Sequence, residues 1–380
     1  MSDHCGLYIH VPFCVRKCPY CDFFSIADLS LKGAFVKALL GELALRSDPD
    51  LAIDTIYFGG GTSSLLRPGE VEQILQQIDD CFCPMDHCEI TMEVNPGTVA
   101  GDFFPAVRSL GVNRLNIGVQ SFDDGKLAFL GRVHSAAEAE RAIVTAEQAG
   151  FDNLGIDVMY GVPEEDEQCL VADLDAGLRF PLTHLSCYML TYEPGTALQT
   201  RVDHGEIFPL GETPAAALFT ATSRHLERKG FLHYEISNFA RGRDRRSRHN
   251  SKYWTMAPYL GFGPSAHSFD RGWRWWNHSD VTRYMADLEK GKLPVMETET
   301  LSQAQKMAEL VMLGLRTSRG VDVESFEAVS GHNFFHRFAP LLKDLVHRGL
   351  GSIRDDGFAL TLKGMLYLDS IVARFAGKIL

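Results

Sequence analysis

The sequence predicts an α/β protein with parallel strands and a small, mainly helical module at its C-terminus. Three observations predict it. Short apolar runs alternate with longer amphipathic stretches through the first part of the chain. Polar residues and glycines gather where those runs end. From about Leu301 the pattern becomes closely spaced helices, and Gly349–Thr361 then alternates like a short hairpin.

Six strands are expected at Leu7–Val11, Thr55–Phe58, Glu89–Glu93, Arg114–Gly118, Asn153–Asp157 and His184–Tyr188. Helical periodicity lies between them at Leu31–Arg46, Pro68–Cys81, Gly101–Leu110, Ser135–Ala149 and Glu167–Leu178. Gly111 and Gly150 fall where left-handed C-caps belong, and Ser135 with Glu138 makes a capping box. One more helix is expected over Thr213–Lys229, ended by Gly230. Either a parallel βα barrel or a doubly wound sheet satisfies this alternation. Both place chemistry at the C-terminal ends of the strands.

The strand ends carry the right residues for that rule: Cys14 to Cys21, Gly59–Thr62, Glu93–Pro96, Gln120–Phe122 and Asp157–Pro163. In ITMEVNP, Glu93 lies on the face opposite Ile90, Met92 and Val94. Asn116 and Gln120 stand likewise against Leu115, Ile117 and Val119, and Asp157 against Ile156 and Val158. Three consecutive strands thus aim polar groups to one side. In an open sheet the same residues would simply face solvent.

Acidic residues outnumber basic ones 49 to 37 in 380, a formal charge of −12. Such a surface repels polyphosphate, so nucleic acid is not an expected partner. No apolar run approaches the roughly 20 residues of a membrane helix, which leaves only peripheral membrane contact open. The first residues, MSDHCGLYIHV, lack the basic and apolar regions of a secretory signal. Nine cysteines in an unexported chain read as reduced thiols, and the cytoplasm is the expected compartment.

Cys14, Cys18 and Cys21 form C-x3-C-x2-C directly after the first strand. Three thiolates so close can wrap one inorganic centre. Structural zinc usually takes four ligands, often two separated pairs, and no partner pair is evident. A [4Fe–4S] cubane on three thiolates leaves one iron for a non-protein ligand. The loop YIHVPFCVRKCPYC resembles that of the radical S-adenosylmethionine (SAM) superfamily. FGGGTSS, MEVNPG, GVQSF, LGRVHS and IDVMYGVP resemble its oxygen-independent coproporphyrinogen III oxidase branch. The likeness runs nearly end to end.

This resemblance implies a partial parallel (β/α)6 barrel over residues 1–235, an extension over 236–298 and a winged-helix-like domain over 299–380. It implies a [4Fe–4S] cluster on Cys14, Cys18 and Cys21, with SAM on the open iron and an electron donor to reduce it. Tyr8, Gly60 and Glu93 match positions that touch a first SAM. Tyr20, Gly61, Thr62, Gln120, Arg132 and Asp157 match positions that line a second. Without the resemblance, the glycines read as tight turns and Tyr20 as packing.

Two departures turn the reading away from the oxidase. Phe23 stands where its pattern has a fourth cysteine, and Tyr8 lies too near the start for its long N-terminal extension. Both suit the HemW-type heme chaperones, whose H-N-x-x-Y-W motif matches His249, Asn250, Tyr253 and Trp254. That likeness implies heme as cargo, passed to respiratory proteins; the alternative is decarboxylation of coproporphyrinogen III. Arg241, Arg243, Arg245, Arg246 and Arg248 suit heme propionates, and His249 beside them suits an axial ligand. The bland alternative is a solvated loop with an ordinary histidine. Cys81, Cys83 and Cys88 also cluster, and read as buried or incidental thiols.

Overall fold

A computed structural model describes residues 4–99, 101–354 and 357–379. Strands β1 (Cys5–Val11), β2 (Ala52–Gly60), β3 (Cys83–Val94), β4 (Arg114–Gln120), β5 (Leu154–Tyr160) and β6 (His184–Met189) lie side by side. Each pairs parallel with the next. The connections carry α1 (Lys32–Leu45), α2 (Pro68–Cys81), α3 (Phe103–Ser109), α4 (Asp124–Phe129), α5 (Ala136–Gln148) and α6 (Glu167–Gly177). Gly111 and Gly150 do take positive φ, 101° and 86°, and Ser135 and Glu138 do form the capping box.

The apolar half of each strand, such as Leu7, Ile9 and Val11 or Leu115 and Ile117, is buried in the main core. The intervening residues face the other way, and the sheet curls around them. Glu93 of β3 therefore feels Asp157 of β5, and Tyr57 of β2 feels both. A parallel sheet wrapped this way is a partial barrel with a polar hollow.

The chain then extends both edges of this sheet. After α7 (Ala197–Asp203) and α8 (Glu212–Arg228), the hairpin β7 (Leu232–Glu235) and β8 (Asn238–Ala240) adds to β6. Helix α9 (Arg248–Thr255) crosses to the opposite edge, where β9 (Tyr259–Phe262) runs parallel to β1. Antiparallel β10 (His267–Asp270), β11 (Trp273–Asn277) and β12 (Val295–Thr300) complete a twelve-stranded sheet, with α10 (Val281–Glu289) beneath. The division expected after residue 235 thus falls inside the β7–β8 hairpin. Barrel and extension share one sheet.

The C-terminal module runs α11 (Gln303–Leu315), β13 (Val321–Asp322), α12 (Val323–Ser330), α13 (Phe334–His347), β14 (Gly351–Arg354), β15 (Gly357–Leu360), α14 (Leu362–Met365) and α15 (Leu368–Ala376). Helix, strand, two helices and a hairpin is the order of a winged helix, built on its own phenylalanine core of Phe326, Phe334, Phe338, Phe358 and Phe375. Its first helix also ties the two sheet edges together. Arg274 of β11 donates to Glu309 on α11 at 2.6 Å, while Thr317, just past its end, bridges Glu235 of β7. Among the described residues no helix is long and apolar enough to cross a membrane.

Candidate cofactor site

The loop after β1 carries the three thiols, all half-buried. The backbone N–H of Cys14 donates to Ile26 and that of Cys21 to Cys18, at 2.9 and 3.1 Å, which folds the loop back over the strand ends. Two donors reach the sulfurs: Thr62 Oγ1 to Cys14 at 3.5 Å and an Arg132 nitrogen to Cys18 at 3.6 Å. Donors aimed at sulfur suit thiolates. At Gly61 a Cβ would stand 2.6 Å from the Phe13 carbonyl oxygen and 3.0 Å from Cys14 Sγ, so only glycine lets the β2 turn pass beneath the loop. Among the described residues no three His, Cys, Asp or Glu side chains converge as the donors of a single ion. A cubane's thiolates bind separate irons and stand further apart.

Below the loop, the inward residues of β1–β5 form a polar wall. Tyr57 donates to Glu93 at 2.7 Å and Asn116 to Asp157 at 2.8 Å. Glu93 retains some surface open to the hollow, yet the enclosing protein pushes its carboxyl up to about 7. Asp157 is raised too, first by burial and against the Asn116 and Ser186 hydrogen bonds. Two carboxyls driven toward neutrality in one cavity suit a cationic ligand, and SAM carries a sulfonium and an ammonium. The donor set therefore fits the group. Gly60 and Thr62 sit at the end of β2, and Gln120 ends β4 with φ 66°. Arg132 reaches the Gly118 carbonyl at 2.8 Å with its Nε buried and unpartnered. Tyr20 packs against the small apolar cluster of Leu130, Met159 and Leu190.

Tyr8 lies deeper. Its hydroxyl meets Nδ1 of His10 at 3.2 Å, and His10 Nε2 meets the Phe24 carbonyl at 3.0 Å. Burial holds His10 down at about 4, so its ring is neutral; the proton is assigned to Nε2, and Tyr8 donates to Nδ1. Tyr57, His10 and Arg114 escaped the sequence reading. Alternation from Thr55 and Tyr8 was the available signal for the first two.

His249 requires a correction. It was expected beside the arginines as an open ligand, but α9 turns it the other way, into the far end of the barrel. It is fully buried; Nδ1 meets Thr55 Oγ1 and Nε2 meets Tyr253 Oη, both at 2.9 Å. Burial, with Lys252 and Arg114 nearby, lowers its pKa to about 3. The ring stacks 5.2 Å from Tyr57. No ring nitrogen is left open to heme iron in this conformation. Cys81 and Cys88 are buried and Cys83 exposed, where α2 gives way to β3.

Fold, thiol loop and polar hollow together define a radical SAM protein. The Radical SAM superfamily profile matches residues 8–176 and the HemN C-terminal domain profile residues 301–367. The heme chaperone HemW of Mycobacterium tuberculosis is 34% identical over 380 residues, covering 98% of this chain and 95% of that protein. That of Bacillus subtilis is 30% identical over 98% and 99%, and that of Escherichia coli 38% over 69% of each. The chain belongs to the HemW family of radical SAM proteins. The coproporphyrinogen III oxidase HemN of Escherichia coli shares the fold, with a TM-score of 0.84 at 21% identity over 98% of this chain and 90% of that one.

Proposed function

We propose that this protein is a heme chaperone that binds heme and delivers it to respiratory proteins. One observation carries the reading: nearly the whole chain aligns with relatives named as heme chaperones. Phe23 supports it against the oxidase; it lies 71% exposed where the oxidase pattern has cysteine. In this reading Cys14, Cys18 and Cys21 hold a [4Fe–4S] cluster, which when reduced supplies the electron for reductive cleavage of SAM.

The chain's own residues have simpler tasks. Thr62 and Arg132 donate to two of the sulfurs. Glu93, oriented by Tyr57, and Asp157, oriented by Asn116, accept from the cationic and hydroxyl groups of SAM. Tyr8 and His10 close the wall behind them.

The test is anaerobic reconstitution followed by hemin titration, with coproporphyrinogen III assayed in parallel. Wild type should bind hemin stoichiometrically and leave coproporphyrinogen unconverted. Turnover to protoporphyrinogen, or no hemin binding, would sink the reading. Cys18→Ala should lose the iron–sulfur absorbance. Glu93→Ala should keep it while weakening SAM binding by roughly 10- to 100-fold, the worth of a hydrogen bond to a charged group.

A further inference from the structure

Helix α9 has a second face. Opposite His249, it borders a cleft of about 620 Å³ at the seam with the C-terminal module, where α12 forms the other wall. Most charges there are matched. Lys252 and Arg248 pair with Asp54 at 2.7 and 3.6 Å, and Arg319 with Asp322 at 2.9 Å. Arg243 and Arg246 face the same cleft, and among the described residues neither forms an ion pair.

Arg243 is exposed and Arg246 half-buried, so the cost of leaving a cation unpaired falls on Arg246. The Arg246 guanidinium lies over the Tyr234 ring at 5.3 Å, with its Nε buried and lacking a hydrogen-bond partner. Burial, and then the repulsion of Arg243, lower its pKa. Neither guanidinium has a carboxylate of its own, although Asp54, Asp322 and Glu324 also line the cleft. Two such forks side by side form the complement of a small dianion, since each can take two oxygens. The floor of small side chains, Ser251, Ala257 and Ala328, leaves room for one.

We propose that this seam is a binding site for a small dianion, paired carboxylates or a phosphate, held by Arg243 and Arg246. The site draws on the heme reading only in that a heme's two propionates are one source of such chemistry; a free phosphate compound is the other. It lies across α9 from the hollow, so its ligand does not compete with SAM for space.

The test uses reconstituted full-length protein and three probes: hemin, hemin dimethyl ester and inorganic pyrophosphate. Binding is followed by the Soret band or by calorimetry in wild type, R243Q/R246Q and R243K/R246K. Neither arginine has an ion pair to lose, but R246Q gives up the contact with Tyr234, so the thermal midpoint of each variant is measured beside binding to show that the fold is intact. Expected is a loss of roughly tenfold or more for at least one dianion in R243Q/R246Q, with part retained in R243K/R246K. That loss should come with a weaker salt dependence. If propionates are the natural source, the dimethyl ester will bind wild type as weakly as hemin binds R243Q/R246Q. If phosphate is, pyrophosphate alone will respond, and with hemin unbound by wild type the chaperone reading falls while the cleft stands. Hemin and pyrophosphate affinities equal in wild type and R243Q/R246Q overturn the cleft and leave the chaperone reading intact. Failure of wild type to bind either dianion overturns the cleft as well.

Discussion

At Gly61 a single hydrogen separates a working thiol loop from a displaced one. A methyl there meets backbone oxygen on one side and the Cys14 sulfur on the other. Gly61→Ala should therefore leave the fold measurable by circular dichroism while lowering iron bound per chain on reconstitution; full incorporation would show that the loop yields. Titration acts at the same scale. His10 and His134 are held near 4, His233 near 4 and His249 near 3, all by burial of a neutral ring. Each protonates in the unfolded chain near 6.5 but not in the folded one, so each contributes stability that is full above pH 6.5. That stability is lost as pH falls toward the folded value, by about 1.4 kcal/mol per pH unit for each ring. Glu93 and Glu235, raised to about 7, oppose this: below that pH they stay protonated in the fold while the unfolded chain ionises. The rings outnumber the carboxyls, so denaturant midpoints should fall between pH 6.5 and 5. A flat profile would mean that these rings are hydrated in solution.

Among elements, α1 is the clearest case of a helix held by one buried charge. Glu42 is fully buried and accepts from Gly263 N at 2.9 Å, Asn277 Nδ2 at 2.7 Å and Tyr284 Oη at 2.7 Å, with Arg46 Nε at 3.3 Å. These partners come from β9's exit, β11 and α10, so the carboxylate fastens the first crossover to the late strands. Glu42→Ala strands those donors and Arg46 together and should cost about 3–5 kcal/mol in chemical denaturation. Glu42→Gln should cost less, since it keeps an acceptor; a loss under about 1 kcal/mol in the alanine variant would demote the contact.

The parallel strands and large helices were legible because their apolar residues keep a period. The helical period over Pro68–Cys81 coincides with the bounds of α2. Helix α9 was not legible. Its buried residues are His249 and Lys252, so it presents no apolar stripe, and its helical form comes from the barrel it plugs. For the same reason the partners of the site residues were harder to read than the residues themselves. Glu93 and Asp157 are visible as polar members of alternating strands, but which strand supplies each donor depends on the curl of the sheet.

Across the whole molecule, α11 acts as a strap between the edges of an unclosed barrel. Its contacts at Glu309, midway along the helix, and at Thr317, just past its C-terminus, reach strands that never meet. Glu309→Ala should speed amide exchange in β11 and β12 while β2–β5 stay protected. Uniform exchange across the sheet would contradict a strap with a local role.

The stopper formed by α9 fixes traffic through the hollow. Its first backbone amides donate to Glu89 of β3, His249 reaches β2, and Ser247 donates to Tyr234, which meets His184 of β6 at 2.8 Å. That end of the barrel is shut from β2 round to β6. A ligand of the hollow therefore has no way out at that end, and its comings and goings are confined to the thiol-loop side and the open flank between β1 and β6.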